Sequence, residues 1–178
     1  MLCYCLQASR RPMPLLRKAF SRACPGHRGT GRRPARAAGP CRRGAWNEVL
    51  ARLGSGFRFG AVSTGGSASS RAIRVVLSEA TNFISHASRI SSESAVVMIR
   101  GAAAPPMSIP NVARNVIFHE LGHAIGISHN SDPASVMCGR PAPCRPDLFG
   151  SSTPHYFPLN SEDRAKVLAM YPAGWKSR

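Results

Sequence analysis

The sequence predicts one α+β domain over residues 45–178, preceded by a basic segment over residues 1–44. Three observations lead to this prediction. Two β-branched runs of strand length, AIRVVL (72–77) and AVVMIR (95–100), alternate with stretches of helical period. A long segment rich in Pro, Gly and Ser (130–159) separates the clearest helical stretch from the last one. The basic segment shows neither period.

Residues 1–44 are expected to lack regular structure. The formal net charge is +16, and residues 1–45 hold eleven of the 24 lysines and arginines with no Asp or Glu. Such a segment has too little apolar surface to offset chain entropy. A nucleic-acid-binding arm is the alternative, although interleaved aromatic residues are missing. No signal peptide is legible because MLCYCL is short and precedes the arginines, and no run is long enough for a membrane span.

Local periodicity predicts the first elements of the domain. AWNEVLARL (45–53) has apolar residues at i, i+3, i+4 and i+7 and is followed by Gly54, which predicts a short helix. FRF (57–59) alternates as a half-buried strand would, and VSTGGSASS (62–70) has the composition of a loop. Residues 79–94 favour a partly apolar helix or an irregular crossover.

The clearest predicted helix is NVARNVIFHELGHAIG (111–126). Asn111 can cap its start, and Gly126 offers the left-handed residue that ends a helix. A last helix is predicted over NSEDRAKVLAMY (160–171), with acidic residues in its first turn and Pro172 behind it.

Three histidines and a glutamate in HELGHAIGISH (119–129) predict a catalytic zinc site. On a helix, His119 and His123 lie one turn apart and can aim at one point about 2.0–2.1 Å from each nitrogen. Gly126 breaks the helix, and His129 follows three residues later. Glu120 flanks the same cleft, where a carboxylate can accept a proton from zinc-bound water. A structural zinc site would fill all four positions with Cys or His, and no fourth ligand stands nearby.

The pattern H-E-x-x-H-x-x-G-x-x-H resembles the metzincin zinc metallopeptidases, and its surroundings resemble the matrixin branch, the catalytic domain of matrix metalloproteinases. The specific resemblance covers about residues 111–172. It implies a zincin-like fold with a twisted mixed β-sheet, an active-site helix, a Met-turn and a C-terminal helix. In such a fold Met137 would form an apolar floor beneath the metal, and Asp163 would tie the last helix to the Met-turn region. Gly126 would support the site by ending the active-site helix, so that the chain reverses before His129.

The resemblance also implies a zinc-dependent endopeptidase, expected to be monomeric and secreted or extracellular. One Zn²⁺ would be held by His119, His123 and His129, with Glu120 as general base. An extended peptide would align along a strand edge, for which AVVMIRG (95–101) is the candidate.

Several features depart from the matrixin pattern. The His and Asp ligands that would bind structural calcium or a second zinc are not found, and no tyrosine ligand stands two residues after Met137. Cys138 and Cys144 bound a short loop in which a disulfide is sterically feasible. The alternative function is a basic protein that binds nucleic acid or an acidic surface and carries a structural or vestigial zinc site.

Overall fold

The computed structural model describes residues 2–7, 44–60, 62–64, 71–80, 82–101, 107–139 and 156–176. In chain order they form β1 (Leu2–Gln7), α1 (Gly44–Arg52), β2 (Val62–Thr64), β3 (Ala72–Ser78), β4 (His86–Arg89), β5 (Ala95–Arg100), α2 (Pro110–Ala124) and α3 (Ser161–Met170). None of the helices built from these residues is long and apolar enough to cross a membrane.

The five strands form one mixed sheet in the order β2-β1-β3-β5-β4. The central pair β3 and β5 is parallel, from Ile73 opposite Ala95 to Ser78 opposite Arg100. The strands β1 and β4 pair antiparallel with their neighbours. The predicted α+β class with a mixed sheet is confirmed.

The strand β1 departs from the expectation that residues 1–44 lack regular structure. It pairs with β3 from Leu2 opposite Leu77 to Gln7 opposite Ala72, and with β2 on its other side. Backbone pairing on both sides supplies order that the composition of the segment did not indicate. Residues 8–43 lie outside the described part of the chain, and the domain boundary before residue 45 stays a prediction.

The helix or irregular crossover predicted over residues 79–94 is wrong, because this stretch contains the strand β4. A turn closed by the Ile90 amide, which donates to the Ser94 carbonyl at 2.9 Å, returns the chain so that β4 pairs with β5. The run AVVMIRG is consequently not a sheet edge. Its strand β5 is paired on both sides, and β4 forms that edge of the sheet.

Two further predictions around residues 57–70 need correction. Phe57–Phe59 is not a strand. Its two ring centroids lie 5.2 Å apart, and the Phe57 ring centroid lies 4.7 Å from that of Tyr171. The Phe59 amide and carbonyl bond to the side chain of Asn47 instead of to a neighbouring strand. Val62–Thr64, predicted as part of a loop, forms β2.

The helix α2 packs between two apolar clusters. On one side α1 lies against it, and the Trp46 ring stacks on the Phe118 ring with their centroids 4.1 Å apart. Trp46 Nε1 also donates to the Phe118 carbonyl at 3.2 Å. On the other side α2 contacts β4 and β5. The buried residues of this second cluster are Val75, Ala95, Val97, Ile99, Met107, Ala113 and Ala124. The helix is therefore held on two faces.

The ends of α2 and α3 differ in how they are capped. The N-cap of α2 is Ile109, which makes no side-chain cap, so the prediction that Asn111 caps the helix is wrong; Pro110 takes the first helical position, where a missing N–H costs nothing. In α3, Asn160 is the N-cap and its Oδ1 accepts from the Asp163 amide at 2.9 Å.

Candidate metal centre

Three histidine side chains converge at the C-terminal end of α2. His119 and His123 lie one turn apart on the helix, with their Nε2 atoms 3.0 Å from each other. After the helix Gly126 adopts φ +102°, a left-handed conformation that glycine tolerates and other residues resist. The reversal brings His129 Nε2 to 3.1 Å from that of His119 and 3.0 Å from that of His123.

Backbone carbonyls fix the tautomers of the two helix histidines. His119 Nδ1 lies 2.7 Å from the Val136 carbonyl oxygen, and His123 Nδ1 lies 2.7 Å from that of Ile127. A carbonyl only accepts, so each Nδ1 carries the proton and each Nε2 presents a lone pair. Hydrogen bonds of this kind orient the imidazoles that ligate metals in proteins.

The donor set fits a divalent cation such as zinc. Among the described residues, His119, His123 and His129 are a group whose ligand atoms lie close enough to hold one metal ion. Lone pairs directed at each other across 3.0–3.1 Å repel unless a cation or protons lie between them. Burial lowers the pKa of His123, and a nearby His129 charge adds to that effect, although the bond to Ile127 opposes it. The neutral ring, the form that binds metal, is thus favoured.

Glu120 and Met137 are both buried beside the histidines in sequence or space. Glu120 follows the first histidine, and only 6% of its surface is exposed. Met137 is fully buried and packs against α2 at Gly122. A Cβ built on Gly122 would lie 2.5 Å from Met137 Sδ, so the methionine can approach the helix this closely only because a glycine is present.

The segment Ser135–Gly139, here called the 135–139 segment, runs beside His129. The Asn130 amide donates to the Met137 carbonyl at 3.0 Å, and the Gly139 amide donates to the Asn130 carbonyl at 3.0 Å. Gly139 also packs on the imidazole, since a Cβ there would lie 2.9 Å from His129 Cγ. The segment therefore holds both the backbone and the ring of the third histidine.

Asp163 of α3 is hydrogen-bonded to the 135–139 segment through Ser135. It is fully buried, and its Oδ2 accepts from Ser135 Oγ at 2.8 Å and from Asn130 Nδ2 at 2.8 Å. The Ser135 hydroxyl in turn accepts from the Met137 amide at 3.0 Å. The Asp163 carboxylate on α3 is thus hydrogen-bonded to Asn130, which follows His129, and to Ser135, which begins the 135–139 segment.

The structure brings together the predicted residues His119, His123 and His129. It buries Met137 against α2 and Asp163 against Asn130 and Ser135, and their predicted supporting role stays a prediction. The supporting residues Gly122, Asn130, Ser135 and Gly139 were not predicted. A glycine inside a helical pattern usually has a packing reason, and this signal could have identified Gly122. The other three carry no local signal, because their roles arise from contacts between segments.

Comparison with known proteins gives one informative similarity. No protein-family model matches the chain. The chain is 33% identical over 63 residues to a curated protein of Invertebrate iridescent virus 3, "Probable matrix metalloproteinase 095L". The matched stretch is 35% of this chain and 14% of the viral protein, so the chain spans well under two thirds of that relative. The similarity supports a relationship to matrix metalloproteinases over that stretch.

Proposed function

We propose that this chain is a matrixin-like zinc endopeptidase of the metzincin type. The observation that carries the proposal is the convergence of three Nε2 atoms at 3.0–3.1 Å, two of them with tautomers fixed for metal binding. The similarity to a probable matrix metalloproteinase supports the same conclusion. Three neutral imidazoles and an open position are the ligand set of catalytic zinc, whereas structural zinc sites are closed by four protein ligands.

In the proposed reaction His119, His123 and His129 would hold the zinc ion. Bound zinc lowers the pKa of water to about 7 and polarises a carbonyl group. Glu120 accepts the proton of the attacking water and passes it to the amine nitrogen that leaves when the peptide bond breaks. Its burial supports this role, because water exclusion strengthens the interaction of a carboxylate with a developing charge.

The substrate would be an extended peptide that pairs with a sheet edge. Because β5 is internal, the edge on that side of the sheet is β4, which α2 also contacts. Two large apolar side chains, Ile84 and Ile90, flank β4 and are each 70% exposed. Backbone groups of β4 would bind the peptide and its side chains would lie beside these residues.

The decisive experiment compares Glu120→Gln with Glu162→Gln in the full-length chain. Glu162 is an exposed acid on α3, and its pairing with Lys166 at 2.7 Å is a surface contact. Cleavage of a peptide library should fall at least about 1000-fold in Glu120→Gln and stay unchanged in Glu162→Gln. Zinc content by elemental analysis should be one per chain in both variants.

Two results would contradict the proposal. Hydrolysis that survives in Glu120→Gln excludes Glu120 as the base. Wild-type protein that binds one zinc per chain but cleaves no peptide in the library favours the alternative of a structural or vestigial zinc site. The alternative of a basic protein that binds nucleic acid is not tested by the described residues, because all eleven lysines and arginines of residues 1–44 lie outside them.

A further inference from the structure

The residue next to the predicted Met-turn methionine takes part in a disulfide. Cys138 is disulfide-bonded and only 5% exposed. Its neighbours Met137 and Gly139 make the two backbone hydrogen bonds to Asn130 described above. Cys138 thus lies at the middle of the short parallel bridge with Asn130, the residue that follows His129.

This placement links the disulfide to the third histidine over a short path. The Asn130–Cys138 bridge sets the backbone of His129, and Gly139 supports its ring. The ring has little else to hold it: His129 is exposed, and none of the described residues accepts a hydrogen bond from its Nδ1. A covalent bond at Cys138 restricts the backbone of the 135–139 segment, because a cross-link removes conformations that the open chain would sample.

We propose that the Cys138 disulfide is a positioning element for His129 and that its reduction lowers the metal affinity of the site. Cys144 is its expected partner, since CGRPAPC closes a short loop; Cys144 lies outside the described residues. This inference rests on the proposed metal site. Mutation of a residue that hydrogen-bonds to a metal ligand typically lowers metal affinity 10- to 100-fold. We expect reduction of the disulfide to lower zinc affinity by a similar factor.

The redox step is a two-electron reduction. A water-soluble phosphine attacks one sulfur, the S–S bond breaks, and water supplies the oxygen of the phosphine oxide and the protons of the two resulting thiols. The phosphine is removed before metal is added, so that it cannot compete for zinc. The oxidised and reduced proteins then differ only in this covalent bond and in any other disulfide of the chain.

The test measures zinc affinity of the oxidised and reduced full-length chain by competition with a chromophoric chelator. Reduction should weaken zinc binding about 10- to 100-fold in wild type. Cys138→Ser should have the weaker affinity in both states, and Cys144→Ser should behave identically. Cys24→Ser and Cys41→Ser, as matched controls, should keep the wild-type response. The serine variants also remove thiolates that could bind zinc themselves.

A second readout needs no metal. Amide hydrogen exchange of Asn130 and Gly139 in the metal-free chain should become faster on reduction, while exchange within α2 should stay unchanged. Circular dichroism shows whether each variant is folded. Equal zinc affinity in both redox states together with unchanged exchange overturns the inference but leaves the proposed function intact. Failure of the oxidised wild type to bind zinc contradicts the proposed function instead, and the exchange measurement still tests the role of the disulfide.

Discussion

The three histidines of the site are held in two different ways. His119 and His123 share one helix that is packed on two faces, and each donates an Nδ1 hydrogen bond to a backbone carbonyl. His129 lies beyond the helix on an exposed turn, and its ring rests on Gly139. The spacing of the first two histidines follows from helical geometry, and the 135–139 segment adds one hydrogen bond to His119 through the Val136 carbonyl. The position of the third histidine depends on that segment for both its backbone and its ring.

This difference shows which changes the site can tolerate. A helix fixes the separation of residues i and i+4 through its backbone, so the first pair of ligands survives loss of individual supporting contacts. The third ligand depends on the 135–139 segment, on Asp163 below it and on the turn at Gly126. Variation in metal affinity should therefore arise mainly from residues that hold His129.

The largest expected effect comes from removing the ligands themselves. His123→Ala breaks the helical pair, and zinc affinity should fall on the order of 1000-fold, a share of the total binding free energy consistent with one ligand among three. His129→Ala leaves His119 and His123 in place on the helix, and zinc affinity should fall by a factor about ten times smaller than in His123→Ala. Chelator competition measures both. Equal losses of zinc affinity would show that the helix histidines and His129 contribute alike, which would contradict the distinction drawn between them.

Asp163, which accepts hydrogen bonds from Asn130 and Ser135, should be the next most sensitive position. Asp163→Ala leaves the fully buried Ser135 hydroxyl without its acceptor and removes one of the two acceptors of Asn130 Nδ2, so the free energy of unfolding should fall by about 3 kcal/mol. Asp163→Asn keeps one acceptor oxygen but places an amide donor at the position of Oδ1, which is buried and has no hydrogen-bond partner among the described residues, so it should lose about 1–2 kcal/mol. Urea unfolding of the metal-free chain distinguishes them; similar losses would mean that acceptance by this side chain is not what matters.

Gly139→Ala tests the support of the His129 ring directly. The added Cβ would lie 2.9 Å from His129 Cγ, so the imidazole must shift away from its two partners. Zinc affinity should fall about tenfold, with little change in the stability of the metal-free chain. Gly174→Ala is the matched control, because a Cβ there meets no atom within 4 Å. An unchanged affinity in Gly139→Ala would show that the ring is not held by this contact.

The smallest effect is expected at the turn between the helix and His129. Gly126 has φ +102°, and alanine there should lower the free energy of unfolding by about 1–2 kcal/mol. Gly54 has φ +74° and open space around it, so Gly54→Ala carries the backbone strain alone. Thermal or urea unfolding should give a larger loss for Gly126→Ala, because φ +102° lies further than φ +74° from the left-handed region that other residues adopt. A larger loss in Gly54→Ala would contradict this reasoning.

The part of the site that lies on one helix could be predicted from sequence, because ligand spacing and helical period are local properties. The strands β3 and β5 were predicted for the same reason, since both are β-branched and largely buried. The strand β4 was not, because its residues HASR are mostly exposed and show no apolar alternation. Its strand character comes from pairing with β5, which no local pattern encodes.

The supporting residues of His129 were missed for a related reason. Asn130, Ser135 and Gly139 are polar or small residues in a loop, and such residues also occur in loops without any function. Their importance appears only when Asp163, about 30 positions further along, is placed beneath them. Phe57 and Phe59 were predicted as a strand, but the Phe57 ring packs on Tyr171 and Trp175 and the Phe59 ring packs on Trp46.

The position of β1 in the sheet has a consequence for how the chain folds. Gln7 pairs with Ala72, and both neighbours of β1 are made later than β1 itself during synthesis. Until β2 and β3 are made, β1 has no strand with which to pair. Pairings of such sequence separation form slowly and leave strand edges open to aggregation. Refolding yield should therefore depend on protein concentration, as expected when intermolecular pairing competes with the return of a distant strand.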